Sequence, residues 1–143
     1  MRIVFDESTL RQGETASRSI TGVVFFDFDG ICFPGDGWND FPVVVAGWWL
    51  EAINKLRRGF DKEVMLRFMD GPYWIAVLLG VGDTILLRCI DDHRGAGVVH
   101  EGLINLETLA AQVHRFARQV VSACIRRGLE SSDVSLLRKY LPN

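Results

Sequence analysis

A chain of 143 residues, 48% apolar and 24% charged, has the balance of a globular domain and not of a disordered one. Its formal charge of −2 removes the electrostatic case for nucleic acid or an anionic membrane surface as partner. The charge is uneven: the first 51 residues hold eight acidic and three basic side chains, the remainder ten acidic and thirteen basic. Cys32, Cys89 and Cys124 lie in apolar surroundings and cannot all pair, which predicts a reduced, cytoplasmic protein whose cysteines act as small hydrophobes. No apolar signal core follows the N-terminus, and the most hydrophobic run, "FPVVVAGWWLEAI", is far below the ~18 apolar residues of a membrane span.

In chain order, residues 2–7 alternate apolar and polar and predict a strand, residues 11–19 a polar loop, and residues 20–28 a second, β-branched and aromatic strand. Three glycines and a proline make residues 29–40 a long structured turn. A helix follows, capped by Asn39 or Asp40, with Pro42 in its first turn and Gly59 as its stop. Its first half is almost wholly apolar, so it is expected to be deeply internal, with Trp48 and Trp49 finding separate apolar contacts.

Residues 62–69, 73–80 and 84–90 read as strands. The gaps Asp70-Gly71-Pro72 and Val81-Gly82-Asp83 are too short for anything but antiparallel neighbours. Residues 96–104 add one more strand. Asn105 caps a long helix with the apolar stripe Leu106, Leu109, Val113, Phe116, Val120 and Cys124, and Arg115, Arg118 and Arg126 opposite. A short helix capped by Ser131 or Ser132 ends the chain. The fold class is therefore α+β, one domain over residues 1–143. An antiparallel sheet of about five to six strands is packed by one buried central helix and by C-terminal helices. Trp74, Ala76 and Leu78 fall on one side of their strand while Ile75 and Val77 fall on the other. A strand apolar on both sides is buried twice or meets a partner.

Two stretches carry functional suggestions. "VVFFDFDG" (residues 23–30) resembles the first motif of the haloacid-dehalogenase-like phosphatases, a hydrophobic strand followed by D-x-D-G-T. The resemblance implies Asp27 as nucleophile, Asp29 as general acid/base, Mg²⁺ between carboxylate and phosphate, and a parallel sheet with helical crossovers. Ile31 stands where that motif has Thr, and the tight turns after residue 62 leave no room for crossovers, so the bland reading is an acidic turn shaped by Gly30. His93 and His100, with Asp91 and Asp92, match no metal-site spacing, and a charged hairpin turn is expected there.

"PGDGWNDFPVVVAGWWLEAI" (residues 34–53) resembles a stretch of small bacterial immunity-type proteins, which neutralise co-encoded polymorphic or contact-dependent toxins by binding them. The resemblance implies a non-enzymatic protein-binding module with a basic toxin domain as partner. The residues themselves agree: no nucleophile–base set, no metal set and no cofactor motif is assembled, and the N-terminal lobe is acidic. The expected contact surface is Asp27, Asp29, Asp36, Trp38 and Asp40, a tryptophan ringed by acids. The alternatives are the Mg²⁺-dependent phosphatase using Asp27 and Asp29, and a structural subunit that forms a homodimer through the two-sided apolar sheet.

Overall fold

The computed structural model describes residues 1–14 and 18–141. Its elements are β1 (Arg2–Gln12), β2 (Ile20–Phe28), β3 (Ile31–Phe33), β4 (Asn39–Asp40), α1 (Pro42–Arg57), β5 (Glu63–Arg67), β6 (Tyr73–Leu79), β7 (Thr84–Asp91), β8 (Gly97–Asn105), α2 (Leu106–Arg126) and α3 (Ser132–Tyr140). The α+β class with antiparallel strands and packed helices holds, and the strands divide into two four-stranded sheets. In the first, β2 pairs β1 on one side and both β3 and β4 on the other. The second is a meander, β5-β6-β7-β8, made by the short turns the sequence announces.

Several local expectations are corrected. Arg11 and Gln12 extend β1 past a register shift after Asp6. There the Asp6 carboxylate accepts from the Ser8 N–H and hydroxyl, so side-chain bonding absorbs the irregularity. The rest of the expected 11–19 loop includes residues 15–17, which lie outside the described residues. The long turn at residues 29–40 contains two short strands. Neither Asn39 nor Asp40 caps α1: both belong to β4, the cap position is Phe41, and no side chain bonds the first turn there. Pro42 does open the helix, where its missing N–H costs nothing.

One contiguous core joins both sheets to the helices. Trp49 sits at its centre, in ring contact with Phe26 at 5.2 Å and with Phe68 and Phe116 at 5.3 Å, and its indole N–H donates to the Arg67 carbonyl. That bond removes the cost of burying the one polar atom of the side chain. Trp48, a step of ~100° away on α1, is 42% exposed, so the expected deep burial of both tryptophans holds for one only.

The second sheet has two unlike faces. Ile75, Val77, Ile85 and Leu87 point inward and are buried. On the outer face Leu103 is 74% and Val98 52% exposed. α2 is the amphipathic helix its stripe predicts, capped by the Asn105 side chain on the Glu107 N–H. Among the described residues no helix is long and apolar enough to cross a membrane.

Candidate functional site

Phe28 pairs Ile31, so Asp29 and Gly30 form a two-residue hairpin loop, and both have positive φ, 51° and 98°. That is the type I′ pattern, for which Asp-Gly is a preferred pair because its twist matches the flanking strands. Asp27 serves this turn: one carboxylate oxygen accepts the Gly30 N–H at 2.7 Å and the other faces the Arg2 guanidinium at 3.2 Å. The Gly30 N–H first, and Arg2 second, hold its carboxyl below the ordinary range. The phosphatase resemblance implies a parallel sheet, but the six ladders between named strands are antiparallel. The D-x-D-G pair thus stands on a hairpin turn.

Asp40 is corrected most. It is expected at the surface, yet it is 0% exposed. One of its oxygens accepts from the N–H groups of Phe41 and Met69, the other from the Trp38 indole N–H and the Asp70 N–H. A carboxylate with four donors is satisfied inside the protein, and this one stitches the first sheet to the β5–β6 turn. Gly22, its partner on β2, is packed closely on its other neighbours: a Cβ there would meet a Leu10 methyl at 3.0 Å. Asp40 therefore leaves the contact set and becomes the strut beneath it.

Trp38 is half-buried, fixed by Asp40 and by the edge of Tyr73 at 5.1 Å. Tyr73 in turn contacts Phe33 at 5.8 Å and His93 at 5.2 Å. A chain of rings thus runs from the core out to the β7–β8 turn. His93 does not ligate with His100. Its Nδ1 lies 2.6 Å from an Asp91 oxygen, while the His100 ring lies against Phe28, centroids 4.7 Å apart and planes tilted by 47°. The His93 backbone N–H first, and its ring second, lower the Asp91 pKa, whereas burial, then Asp91, raises that of Tyr73. Among the described residues no three His, Cys, Asp or Glu side chains gather as metal ligands.

No protein-family model, no curated protein and no solved structure matches this chain.

Of the five expected residues, then, Asp29 and Asp36 are exposed, Trp38 is half-buried, Asp27 is engaged by its turn, and Asp40 is internal; Asp29, at the hairpin tip, lies five residues along the chain from the Val24 whose N–H donates to the Trp38 carbonyl. The tertiary structure adds neighbours that sequence reasoning did not place there. The Asp70 N–H on Asp40 and the Tyr73 ring on Trp38 bring the β5–β6 turn to this edge, and His93 brings the β7–β8 turn. Asp29, Asp36, Asp70 and Asp92 are exposed and form no ion pair among the described residues, whereas Asp27 and Asp91 are paired with Arg2 and His93. Arg94 is exposed on the β7–β8 turn, two residues after Asp92. The Asp-Gly turn signal at residues 70–71 was visible in the sequence; its proximity to Trp38 was not.

Proposed function

We propose that this chain is a non-enzymatic protein-binding module, an immunity protein that neutralises a co-encoded bacterial toxin by presenting this acidic edge to a basic cleft. The observation that carries the proposal is the pair of exposed carboxylates without an ion pair, Asp36 and Asp70, beside a Trp38 that is pinned by Asp40 and Tyr73, with Asp92 on the β7–β8 turn that Tyr73 meets through His93 and Asp29 farther off at the tip of the β2–β3 hairpin. Exposed carboxylates steer a basic partner into encounter, and an aromatic already held in place loses little entropy on contact. The likeness of residues 34–53 to immunity-type proteins supports the same reading, since that stretch supplies Asp36, Trp38 and the Asp40 strut.

The test has two steps: the neighbouring genes are read for a toxin-like protein, whose absence counts against the proposal, and the C-terminal domain of such a protein is titrated against this chain. Asp36→Lys combined with Asp92→Lys is expected to weaken binding at least about tenfold at low salt, with the loss shrinking as salt rises. The melting temperature should stay within a degree or two of wild type, since both side chains are exposed. Equal affinity of the double variant and the wild type at low salt would reject this surface.

A further inference from the structure

Most arginines of this chain are engaged. Arg2, Arg57, Arg88 and Arg126 pair with carboxylates, Arg11 and Arg127 bond backbone carbonyls, and Arg67 lies over the Trp74 ring. Arg115 and Arg118 have no such partner among the described residues, and both line one groove of about 410 Å³ between α2 and β1. The helix and the strand run in the same direction there, since Gln112 meets Ile3 and Arg126 meets Glu7. Arg115, Arg118, Gln119 and Ser122 follow at i, i+3, i+4 and i+7, so one face of α2 supplies them all. Helical side chains lean toward the N-terminus, which brings Gln119 and Ser122 back over the turn that carries the two arginines. The other wall is the edge of β1. The ladder to β2 turns the Ile3 N–H outward, where the Gln112 side chain accepts it. Alternation turns the Phe5 N–H the same way, and Val24 opposite it accordingly donates away from β1, to the Trp38 carbonyl. Among the described residues no group accepts the Phe5 N–H.

The groove thus holds donors and an excess of positive charge. Its one carboxylate, Glu7, is taken by Arg126 through two contacts. Arg115 and Arg118 remain, two like charges on adjacent turns that no side chain offsets. Their field reaches His114, whose pKa is lowered by burial first and then by Arg57 and Arg118.

We propose that this groove binds a small phosphomonoester, its phosphate between Arg115 and Arg118 and its organic part beside Phe5. Two free guanidiniums match a group that carries close to two negative charges; a carboxylate would leave one of them without a partner. The Ser122 hydroxyl, the Gln119 amide and the Phe5 N–H are the further donors that three terminal phosphate oxygens can accept. A phosphate fills only part of a groove this large, and the volume lies in the range of small-molecule sites. A longer polyanion is opposed by Asp6 and Glu7 on the β1 wall and by the chain's net charge of −2. The guest differs from a basic toxin in sign and the groove from the acidic edge in place, so this inference does not rest on the one above.

The experiment is an amide NMR titration of the full chain at low salt, in phosphate-free buffer at neutral pH. Ribose 5-phosphate, adenosine 5′-monophosphate, inorganic phosphate and adenosine are added in separate series. Both esters are expected to bind with a Kd of about 1 mM or tighter, and to shift the Phe5, Arg118 and Ser122 amides most. Inorganic phosphate should bind at least about fivefold more weakly, and adenosine not at all. No response to either ester at about 10 mM overturns the inference, as do shifts centred outside the groove. Inorganic phosphate binding as tightly as the esters would overturn the assignment to an ester, and adenosine binding as tightly as its monophosphate would overturn the role of the phosphate. Arg115→Gln and Arg118→Gln are each expected to weaken ester binding about tenfold with an unchanged circular dichroism spectrum. Lys62→Gln removes an exposed charge of the same sign from the second sheet and should change nothing. An equal loss in all three variants would reveal a general effect of net charge and overturn the site.

Discussion

The two sheets use their side chains in opposite ways. In the first, carboxylates are spent mostly on the protein's own backbone: Asp6 on a register shift, Asp27 on a turn, Asp40 on three backbone N–H groups and an indole N–H from residues 38–41 and 69–70. In the second, carboxylates serve the backbone only at the turns, Asp91 on the His93 N–H and Asp40 on the Met69 and Asp70 N–H groups, and apolar side chains are left over on the outside. Acidic residues that looked functional in the sequence are therefore partly structural, and apolar residues that looked like core are partly surface. The difference follows from regularity. A sheet with short, broken edge strands leaves N–H groups that only side chains can satisfy, whereas the longer ladders of the meander, apart from one register shift after Cys89, satisfy their own and leave only turn N–H groups to carboxylates.

The comparison can be broken most directly at Asp40. Asp40→Ala leaves four donors without their acceptor, the Trp38 indole and three backbone N–H groups, and is expected to cost about 3–5 kcal/mol in urea unfolding. A loss under ~1 kcal/mol would mean that water replaces the carboxylate and that the first sheet does not depend on it. Next in size is the contrast across one β7–β8 ladder. Leu87→Ala, on the inner face, should cost about 3 kcal/mol, whereas Leu103→Ala, on the outer face, should stay within about 0.5 kcal/mol for the monomer. Similar losses at both sites would deny that the outer face is open.

The smallest expected effect is the pH dependence carried by Asp27. Its folded-state pKa is lowered, so its contribution is present above the unfolded value of about 3.9 and fades as pH falls through the folded one. Asp27→Asn should therefore melt below wild type near neutrality, and the two curves should converge below pH ~4. A constant gap from pH 7 to pH 3 would show that the carboxylate charge is not what holds the turn.

Much of the fold was legible because its causes are local. The Asp70-Gly71 and Gly82-Asp83 turns fixed antiparallel pairing, the stripe from Leu106 to Cys124 fixed α2, and Asn105 marked its start. The acidic edge was half legible. Asp29 and Asp36 could be placed at the surface from the glycines beside them, yet the same composition suggested a cap for Asp40 and gave no sign of Tyr73 beside Trp38.

By itself, then, the sequence determined the order and type of the elements, the hairpin connections and the two-sided apolar character of β6, since each depends on residues a few positions apart. Only the tertiary structure decided that the strands form two sheets, that Trp48 surfaces while Trp49 is enclosed, and that Asp40 is buried. The donors that satisfy that carboxylate come from Phe41 next to it, from Trp38 two residues away and from Met69 and Asp70 about thirty residues away. Whether a charge is buried or exposed depends on what the folded chain brings against it, and no periodicity along the chain encodes such a meeting.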